Sequence, residues 1–363
     1  MISVMHVISG LGLGGAERML TEMAIGLQRR GLIQHVVSLR GRGQYADELE
    51  AAGNSVSVFD VTSIRQALPA LGRLCRLVQQ VEPDIIQGWM YHGDLAATFA
   101  HLLAPGRTRR KLYWNIRASN MDDTRYARLI RTCAWFSRWP DVVVANSEAG
   151  AKFHAARGYR ARRMVTISNG IDCEKFCPDP VARSEVRAEF ELGNKVVAVH
   201  VARVDSMKDH ATFLAAMAQL PDIAGLLIGT GTESLVCPPN VRALGPQNNP
   251  ERFYAAADLV VSSSAFGEGF SNALAEGMSA GLVPIATDVG DAAKIIGSTG
   301  KVVAPRDPSA LAAAIKSAVE MSADQRRIRG LEARARIVGS FARVQAIDAY
   351  ARLYQENTQS PAK

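Results

Sequence analysis

The chain has 363 residues, of which 48% are hydrophobic and 21% charged, and its mean hydropathy is zero. This length is long for a single hydrophobic core, so we expect two domains. No stretch approaches the roughly 20 consecutive apolar residues of a membrane helix, and the N-terminus lacks the basic start and cleavage site of a signal peptide. These features predict a soluble protein that stays in the cytoplasm.

The net charge of +7 is concentrated in the first half of the chain. Residues 1–178 contain 23 Lys and Arg against 15 Asp and Glu, whereas residues 179–363 contain 19 against 20. A basic half indicates an anionic partner. Zinc-finger spacings, RNP-like motifs and long basic runs are absent, which argues against nucleic acid and favours a phosphate-bearing acceptor or an anionic membrane surface. The five cysteines are scattered, and no second Cys or His pair completes a zinc site.

Short β-branched segments alternate with helical patterns along the whole chain, which is typical of parallel α/β architecture. The strands are near-continuous apolar runs, as expected for a sheet that is covered on both faces. In the first half, strands are predicted near residues 2–8, 33–39, 56–59, 84–89, 111–116, 141–145 and 164–168. Helices are predicted between them, for example over residues 16–30, 66–80 and 147–157.

The pattern breaks near residue 168, where an Asn169-Gly170 turn is followed by Pro178 and Pro180. Turn chemistry of this kind after a strand indicates a domain boundary. Beyond it, strands are predicted near residues 195–202, 224–229, 258–263, 283–287 and 301–303. Helices are predicted near residues 209–219, 251–257, 270–280 and 309–321, and again from about 324 to 356. The sequence thus predicts two doubly wound domains joined by a hinge.

A glycine-rich loop with Gly10, Gly12, Gly14 and Gly15 follows the first strand and leads into a helix. Glycines let the backbone approach a ligand closely, and a helix N-terminus attracts anions. The spacing fits the dinucleotide fingerprint, but that fingerprint also needs an acid at the end of the second strand, where residues 40–42 read Arg-Gly-Arg. Arginines there suit a 2′-phosphate, so an NADP-dependent oxidoreductase is one alternative. A glycine turn that only packs a helix on a strand is another.

Two carboxylates, Glu268 and Glu276, stand eight positions apart across a predicted junction between a loop and a helix. We expect the helix to start near Phe270, so that the backbone N–H groups of residues 269–272 form a site for phosphate. Glu276 lies at i+4 from Asn272 on one helix face, where a carboxylate can accept hydrogen bonds from a diol such as ribose. The alternative is a helix N-terminal charge together with a solvated surface glutamate.

Arg203 and Lys208 follow the predicted strand 195–202 and face the same crevice as Glu268, because ligands bind at the carboxyl ends of parallel strands. Fixed cations there stabilise the charge that develops on a leaving diphosphate. Asp205 and Asp209 stand nearby, so a neutralised surface pair is the alternative. No two aspartates are separated by a single residue, so the metal-binding Asp-x-Asp pair is absent. We therefore expect no essential metal and no other cofactor.

Together these residues resemble the retaining glycosyltransferases of family 4, of the bacterial polysaccharide or envelope type. The resemblance covers nearly the whole chain, and its most specific part is the pair Glu268 and Glu276. It rests also on residues 14–17, residues 168–172, Arg203, Lys208, Gly267, Gly269, Phe270 and Asn272.

The resemblance implies the GT-B fold, with two Rossmann-like domains that face a central cleft and C-terminal helices that cross back. Residues 1–172 would form the acceptor-binding domain and residues 173–340 the domain that binds the nucleotide sugar. Residues 341–363 would form a C-terminal helix that packs on the N-terminal domain.

The resemblance also implies a role for each site residue. Glu276 would bind the ribose hydroxyls of the donor, and Arg203 and Lys208 its diphosphate. Glu268 would lie against the transferred sugar. The residues near that sugar would be Gly269, Phe270, Ser271 and Asn272.

In the first half, the resemblance implies that Gly14 and Gly15 let the N-terminal domain close on the donor phosphates and the acceptor. His92, which follows the strand 84–89, would contact the sugar. The alternative for His92 is a structural residue in an aromatic-rich loop. Two positions depart from the family pattern, namely Ser271, where many relatives have proline, and Lys294, where many have an acid. Both departures concern the identity of the donor sugar.

The implied activity is the retaining, metal-independent transfer of a hexose from a UDP- or GDP-sugar to a saccharide or lipid-linked saccharide. The implied route is a front-side displacement, and the implied process is cell-envelope, lipopolysaccharide or exopolysaccharide biosynthesis. The alternatives are the NADP-dependent oxidoreductase, a sugar-nucleotide epimerase or phosphorylase on the same fold, and a binding protein without activity.

Basic and aromatic residues share one arc of a predicted helix in the first half. These residues are Arg128, Arg131, Trp135 and Arg138, with Trp139 beside them. A second basic cluster comprises Arg107, Arg109, Arg110 and Lys111. Such surfaces suit an anionic membrane interface, so we hypothesise docking at the inner face of the cytoplasmic membrane. The alternative is a solvated, arginine-rich helix whose tryptophans pack inward.

Overall fold

The computed structural model describes residues 1–12, 14–117 and 123–359, and it divides into two compact units. Unit 1 comprises Met1–Gly170 and the segment that begins at Val344, and unit 2 comprises Ile171–Arg343. The boundaries predicted after residues 172 and 340 lie two and three residues from these positions. Leu13 of the glycine loop and residues 360–363 of the predicted C-terminal segment lie outside the described residues.

Unit 1 is built on a parallel β-sheet with helices on both faces. Its described strands are β1 (Ser3–Ile8), β2 (Ile33–Ser38), β3 (Ser55–Val58), β4 (Ile85–Trp89), β5 (Lys111–Ile116), β6 (Val142–Ala145) and β7 (Met164–Thr166). Its described helices before unit 2 are α1 (Gly15–Gln28), α2 (Tyr45–Ala51), α3 (Ala67–Val81), α4 (Met90–Leu103), α5 (Asp123–Phe136) and α6 (Glu148–Ala156). The strand order is β3-β2-β1-β4-β5-β6-β7.

Unit 2 repeats this plan. Its strands are β8 (Val197–Val201), β9 (Ala224–Ile228), β10 (Val241–Ala243), β11 (Leu259–Ser262), β12 (Val283–Thr287) and β13 (Lys301–Val303). Its helices are α7 (Pro180–Glu189), α8 (His210–Ala218), α9 (Pro250–Ala256), α10 (Asn272–Ser279), α11 (Ala292–Ile296), α12 (Pro308–Val319) and α13 (Ala323–Ser340). The strand order is β10-β9-β8-β11-β12-β13, and the pairing is parallel throughout.

Alternate residues of each strand face two separate cores. In β6, Val142 and Val144 belong to the core that includes α1, whereas Val143 and Ala145 belong to the core that includes α3 and α4. Because both faces are covered, β6 is buried along its whole length. Unit 2 shows the same alternation between the two faces of its sheet.

The final helix, α14 (Arg343–Gln359), returns the chain to unit 1. Its apolar face packs in the core that includes α1, and Gly26 of α1 makes room for it, since a Cβ at this position would lie 2.9 Å from Ile347 Cγ1. Asn115 Nδ2 of β5 donates to the Tyr350 hydroxyl at 2.7 Å. Where the chain leaves unit 2, Arg343 forms an ion pair with Asp172 at 2.9 Å.

Every predicted strand is present within two residues of its predicted ends, but β10, α7 and α11 were not predicted. The segment with Pro178 and Pro180, predicted as part of the boundary, leads directly into a helix. Asp179 is the N-cap of α7, and its carboxylate accepts hydrogen bonds from the backbone N–H groups of Val181 and Ala182 at 2.9 and 3.0 Å. Pro180 is the first helical residue, a position that proline favours because its missing N–H would have no helical partner.

The topology defines one point in each sheet where the strand order reverses. In unit 1 this point lies between β1 and β4, and in unit 2 between β8 and β11. Adjacent crossovers leave in opposite directions there and open a crevice at the carboxyl ends of the two strands, where doubly wound proteins bind their ligands. The segments that follow β1, β4, β8 and β11 are therefore the places where a site is expected.

Replacing Tyr354 with alanine tests the contribution of α14 to unit 1. The Tyr354 ring is fully buried and packs on Tyr113 and Tyr350, with ring centroids 5.8 and 5.9 Å away. We expect Tyr354→Ala to lower the free energy of unfolding of unit 1 by about 3–5 kcal/mol, the usual cost of truncating a buried aromatic ring. Denaturant titration measures this loss. Arg352→Ala, on the exposed side of the same helix, should cost less than about 0.5 kcal/mol. Equal losses in the two variants would contradict a structural role for the packed face.

Candidate active site

The centre of the candidate site in unit 2 is a carboxylate held by a lysine. Glu268 lies in the loop between β11 and α10, and its side chain is buried and forms an ion pair with Lys208 Nζ. Ser264 Oγ donates a second hydrogen bond to Glu268 Oε1 at 2.8 Å. Because β8 and β11 are neighbours in the sheet, the segments that follow them bring Lys208 and Glu268 together across 60 positions of sequence.

A buried polar network fixes the turn that carries Lys208. Ser263 Oγ lies 2.9 Å from the Lys208 carbonyl oxygen and 3.0 Å from that of Asp209. Since its hydrogen is donated to a carbonyl, this hydroxyl accepts from His200 Nε2, which lies 2.9 Å away. Burial lowers the pKa of His200 to about 3, so the imidazole is neutral. The sequence analysis missed both His200 and Ser263, because their role depends on strand neighbours and not on a motif.

Arg203 presents its guanidinium to solvent at the same strand end. Its side chain is 65% exposed and contacts Asp205 Oδ2 at 3.1 Å. Gly229, which follows β9, adopts a positive φ of +143°, and a Cβ there would lie 2.8 Å from the Arg203 backbone nitrogen. Of the two aspartates predicted to neutralise the cations, only Asp205 pairs with one of them. Asp209 instead caps α8.

The helix that follows Glu268 begins later than predicted. α10 starts at Asn272 with Ser271 as its N-cap, so Gly269 and Phe270 precede the helix instead of forming its first turn. The Ser271 side chain makes no capping hydrogen bond in the described structure. Phe270 is buried in the core of unit 2, which holds the loop against the sheet.

Glu276 lies on the buried face of α10. The Tyr254 hydroxyl lies 3.3 Å from Glu276 Oε2 and 3.0 Å from the Ala273 carbonyl oxygen. The alternative of a solvated surface glutamate is therefore wrong. A buried carboxylate needs polar partners, and the sequence analysis did not predict that Tyr254 would be one of them.

A second loop supports the backbone around Glu268. Gly290 adopts a positive φ of +64°, and a Cβ there would lie 2.5 Å from the Glu268 carbonyl oxygen. The backbone N–H of Asp291 donates to the Gly269 carbonyl oxygen at 3.0 Å. The turn at residues 290–291 thus needs glycine because another backbone passes so close to it.

In unit 1, the glycine loop leads into α1, which begins at Gly15. The carboxylate of Glu17 lies against Gly14, where a Cβ would collide with it. Burial raises the pKa of Glu17. The N-terminus of α1 therefore already has its own carboxylate beside it. The expectation that Gly14 and Gly15 admit donor phosphates stays a prediction, and it requires this carboxylate to move.

His92 does not lie in a loop, contrary to the sequence interpretation. β4 ends at Trp89 and α4 begins at the next residue, so His92 occupies the first turn of the helix. His92 lines a cavity of about 490 Å³ that is also lined by Arg40. Partial burial and the charge of Arg40 lower the pKa of His92.

The two arginines that follow β2 have different surroundings. Arg42 Nη2 and Nε donate hydrogen bonds to Asp47 Oδ1 at 2.6 and 3.1 Å, and the guanidinium also forms an ion pair with Glu50. Arg40 is exposed and has neither a hydrogen bond nor an ion pair within the described residues. A 2′-phosphate site that uses both arginines, as an NADP-dependent enzyme would need, is therefore not formed here.

The basic and aromatic residues at the end of α5 form a surface cluster. Trp135 is 57% exposed, and the Arg138 guanidinium lies 4.4 Å from its ring centroid and 4.5 Å from that of Trp139. Arg128 and Arg131 are exposed on the same helix and make no ion pair with any described residue. We refer to these five residues as the tryptophan–arginine patch.

The second predicted basic cluster is smaller than expected. Arg110 is buried and donates to the carbonyl oxygens of Pro105 and His101 at 3.1 and 3.0 Å, so it supports the backbone and does not face solvent. Arg107 and Arg109 are exposed, and Lys111 is half-buried.

Two further findings concern membranes and metals. No helix in residues 1–12, 14–117 and 123–359 is both long enough and apolar enough to cross a membrane. In this same part of the chain, no group of three His, Cys, Asp or Glu side chains is arranged to hold a metal ion. All five cysteines are free thiols.

Two family models and several known proteins are similar to this chain. Residues 13–175 match the model of Glycosyltransferase Family 4, and residues 195–321 match that of Glycosyl transferases group 1. The chain is 24% identical over 214 residues to the GDP-mannose-dependent alpha-(1-6)-phosphatidylinositol monomannoside mannosyltransferase of Mycobacterium tuberculosis, covering 57% of this chain and 54% of that protein.

A second relative is the N-acetylgalactosamine-N,N'-diacetylbacillosaminyl-diphospho-undecaprenol 4-alpha-N-acetylgalactosaminyltransferase of Campylobacter jejuni. The identity is 31% over 159 residues, which cover 41% of each chain. The match to these two curated relatives thus spans about half of their length or less. Among solved structures, Anabaena HepE in complex with UDP and glucose superposes with a TM-score of 0.84 at 22% identity, covering 98% of this chain and all of that one.

The first part of the chain thus matches a family 4 glycosyltransferase model and the second part a group 1 glycosyl transferase model. The two parallel-sheet α/β units have the GT-B fold.

Removing the charge of Arg40 should raise the pKa of His92. A cation close to the ring disfavours protonation, so its loss restores part of the shift that Arg40 causes, while the shift due to burial remains. We expect NMR titration of Arg40→Gln to show the His92 resonance titrating at higher pH than in the unmodified protein. The control is Arg65→Gln, which removes an exposed arginine that does not act on His92. An unchanged titration in Arg40→Gln would show that the two side chains do not interact in solution.

Proposed function

We propose that this protein transfers a hexose-type sugar from a UDP- or GDP-sugar to a saccharide or lipid-linked saccharide acceptor, with retention of anomeric configuration and without an essential metal. The observation that carries the proposal is the buried Glu268 held by Lys208 and Ser264, beside the exposed Arg203. This cluster lies at the point of unit 2 where the strand order reverses, the usual position of a nucleotide site in this fold.

The charges of the cluster suit the departure of a nucleoside diphosphate. When the bond between the sugar C1 atom and the phosphate oxygen breaks, negative charge develops on that oxygen. Arg203 and Lys208 supply fixed cations that stabilise it, and positioned charges of this kind provide large rate effects. The absence of an Asp-x-Asp pair supports a route in which these side chains take the place of a metal ion.

The two carboxylates, Glu276 and Glu268, bind different parts of the donor. Glu276, held by Tyr254, accepts hydrogen bonds from the ribose hydroxyls, and Glu268 accepts them from the transferred sugar. In a front-side displacement, the acceptor oxygen bonds to C1 on the face that the leaving phosphate vacates. The acceptor proton passes to the leaving phosphate oxygen, so no side chain has to act as nucleophile.

The names of the relatives support the donor class. One mycobacterial relative is described as GDP-mannose-dependent, and the Anabaena protein with the same fold was solved with UDP and glucose. The Campylobacter relative is named for transfer to a diphospho-undecaprenol substrate, which supports a lipid-linked acceptor and a place in envelope polysaccharide assembly.

A donor screen in the presence of EDTA tests the proposal. Purified protein is incubated with UDP-, GDP-, ADP- and dTDP-sugars, and the released nucleotide is measured. We expect slow hydrolysis of a UDP- or GDP-sugar, reduced by roughly 10²–10³-fold in Glu268→Ala and Arg203→Ala, as for the loss of other transition-state contacts. Glu276→Ala should weaken donor binding in calorimetry. NMR of the product anomer reports retention or inversion.

Glu320→Ala and Lys316→Ala, two exposed positions of unit 2, are matched controls and should keep full turnover. Turnover that needs a divalent metal would overturn metal independence alone. Absence of sugar-nucleotide binding together with binding of NADPH would replace the transferase with the oxidoreductase.

We also propose that the tryptophan–arginine patch docks on the inner face of the cytoplasmic membrane, so that the protein reaches a lipid-linked acceptor. The exposed Trp135 provides an amphipathic ring for the interface, and Arg128 and Arg131 provide cations without acidic partners in the described structure. The excess of basic residues in residues 1–178 supports the same orientation.

Vesicle flotation tests the docking proposal. We expect the protein to float with vesicles that contain phosphatidylglycerol and not with phosphatidylcholine vesicles. Arg128→Gln/Arg131→Gln should weaken binding by roughly tenfold or more, because each basic residue near an anionic surface contributes about 1 kcal/mol. The control Lys301→Gln/Lys316→Gln removes two exposed lysines from unit 2 and should bind normally. Flotation that does not depend on anionic lipid would disprove docking through the patch.

A further inference from the structure

A cavity in unit 1 has a mainly apolar lining that sugar binding does not explain. It has a volume of about 490 Å³, within the range of small-molecule pockets, and lies beside the carboxyl ends of β1 and β2 between α3 and α4. Its walls are mainly aliphatic and aromatic, with Leu71 and Leu74 from α3 and Phe99 from α4. A sugar would leave most of its hydroxyl groups unpaired against such walls.

The polar groups of the cavity are concentrated near the strand ends. Arg40 and His92 line this part, and Arg40 has no ion pair within the described residues. A solvated cation beside an apolar chamber is complementary to an amphiphile with an anionic group and an apolar chain. Ser9, which directly follows β1 and precedes the glycine loop, also lines the cavity.

Aromatic contacts link one lining residue of the cavity, Phe99, to the tryptophan–arginine patch. His92, Ala96, Phe99 and Leu103 share one face of α4, because their spacing is i, i+4, i+7 and i+11. The Phe99 ring packs edge-on against the Phe136 ring, with centroids 5.1 Å apart, and the Phe136 and Trp135 ring centroids are 4.6 Å apart. Leu68 at the cavity wall and Leu103 at the end of α4 are 79% and 64% exposed. Aromatic side chains therefore connect the cavity wall to the proposed membrane face, and exposed leucines lie at the cavity and at the end of α4.

We propose that this cavity binds the aliphatic chain of a single-chain lipid phosphate, with the phosphate group facing Arg40. The inference rests on the proposed transferase function and specifies its acceptor, namely a saccharide linked through phosphate to one lipid chain. The chain enters from the side of Phe99, and the phosphate places the attached sugar beside His92. The cavity is a single space, which suits one aliphatic chain. Arg40 has no ion pair within the described residues, so its positive charge is available for the phosphate.

The experiment uses octyl phosphate below its micelle concentration as the probe and isothermal titration calorimetry of the full chain as the readout. Octyl phosphate should bind at least tenfold more tightly than butyl phosphate, because each buried methylene adds to the affinity. Arg40→Gln should weaken octyl phosphate binding about tenfold, and octyl glucoside should bind the unmodified protein more weakly than octyl phosphate. Ala96→Trp, which fills the cavity, should weaken binding at least tenfold. Ala155→Trp, the same change at an exposed position of α6, should not.

Each contrary result overturns the proposal. Equal affinities for octyl and butyl phosphate would show that the protein binds the phosphate but not the aliphatic chain. Equal affinities for octyl glucoside and octyl phosphate would show that Arg40 does not recognise the phosphate. Normal binding by Ala96→Trp would place the amphiphile elsewhere. Sugar-nucleotide turnover by the unmodified protein is measured separately. If turnover occurs and octyl phosphate does not bind, the cavity proposal fails alone. If octyl phosphate binds and no sugar nucleotide binds or reacts, the transferase proposal fails.

Discussion

Parallel strand pairing is the constraint on which the rest of the structure depends. It places the carboxyl ends of all strands at one edge of each sheet, and it requires helices on both faces because the crossovers must cover them. The loops that leave this edge can therefore carry charged side chains. In unit 2, the reversal of strand order between β8 and β11 makes neighbours of two such loops, and the contact between Lys208 and Glu268 is a direct result.

The energetic character of that contact argues for a functional origin. Removing a lysine and a glutamate from water costs several kcal/mol per ion, and the attraction between them repays this only when further hydrogen bonds complete the site. Ser264 supplies one such bond to Glu268, and the network of Ser263 and His200 fixes the turn that carries Lys208. In many proteins, a pair of apolar residues of similar size stabilises the fold as well or better. The charges at this position therefore fit the proposed role in binding an anionic donor.

Sequence reasoning predicted the elements that depend on local patterns and missed those that depend on neighbours. Apolar runs predicted twelve strands correctly, but β10 reads Val-Arg-Ala, with a charged residue at its centre, and carries no such signal. The start of α10 was placed too early, since Gly269 and Phe270 are as compatible with a loop as with a helix turn.

The same distinction holds for side chains. The sequence identified Glu268, Glu276, Arg203 and Lys208 by type and spacing, and the structure places all four at the carboxyl-end region of unit 2. It could not show that Lys208 pairs with Glu268, that Tyr254 reaches Glu276, or that Arg110 turns inward. These contacts join residues that are distant in sequence or depend on how a chain packs, and no local pattern encodes them.

The two units also differ in how they present charge, and this difference follows the division of charge along the sequence. In unit 2, where acids and bases nearly balance, Lys208 and Glu268 are largely shielded and Arg203 is paired with Asp205. In unit 1, where basic residues are in excess, Arg40, Arg128 and Arg131 are exposed and have no ion pair within the described residues. Shielded charges act strongly over short distances, which suits stabilisation of a reacting phosphate. Solvated charges act weakly but over about 8 Å at physiological salt, which suits attraction of an anionic surface or amphiphile. The charges of the two units thus suit the two different anions that we propose for them.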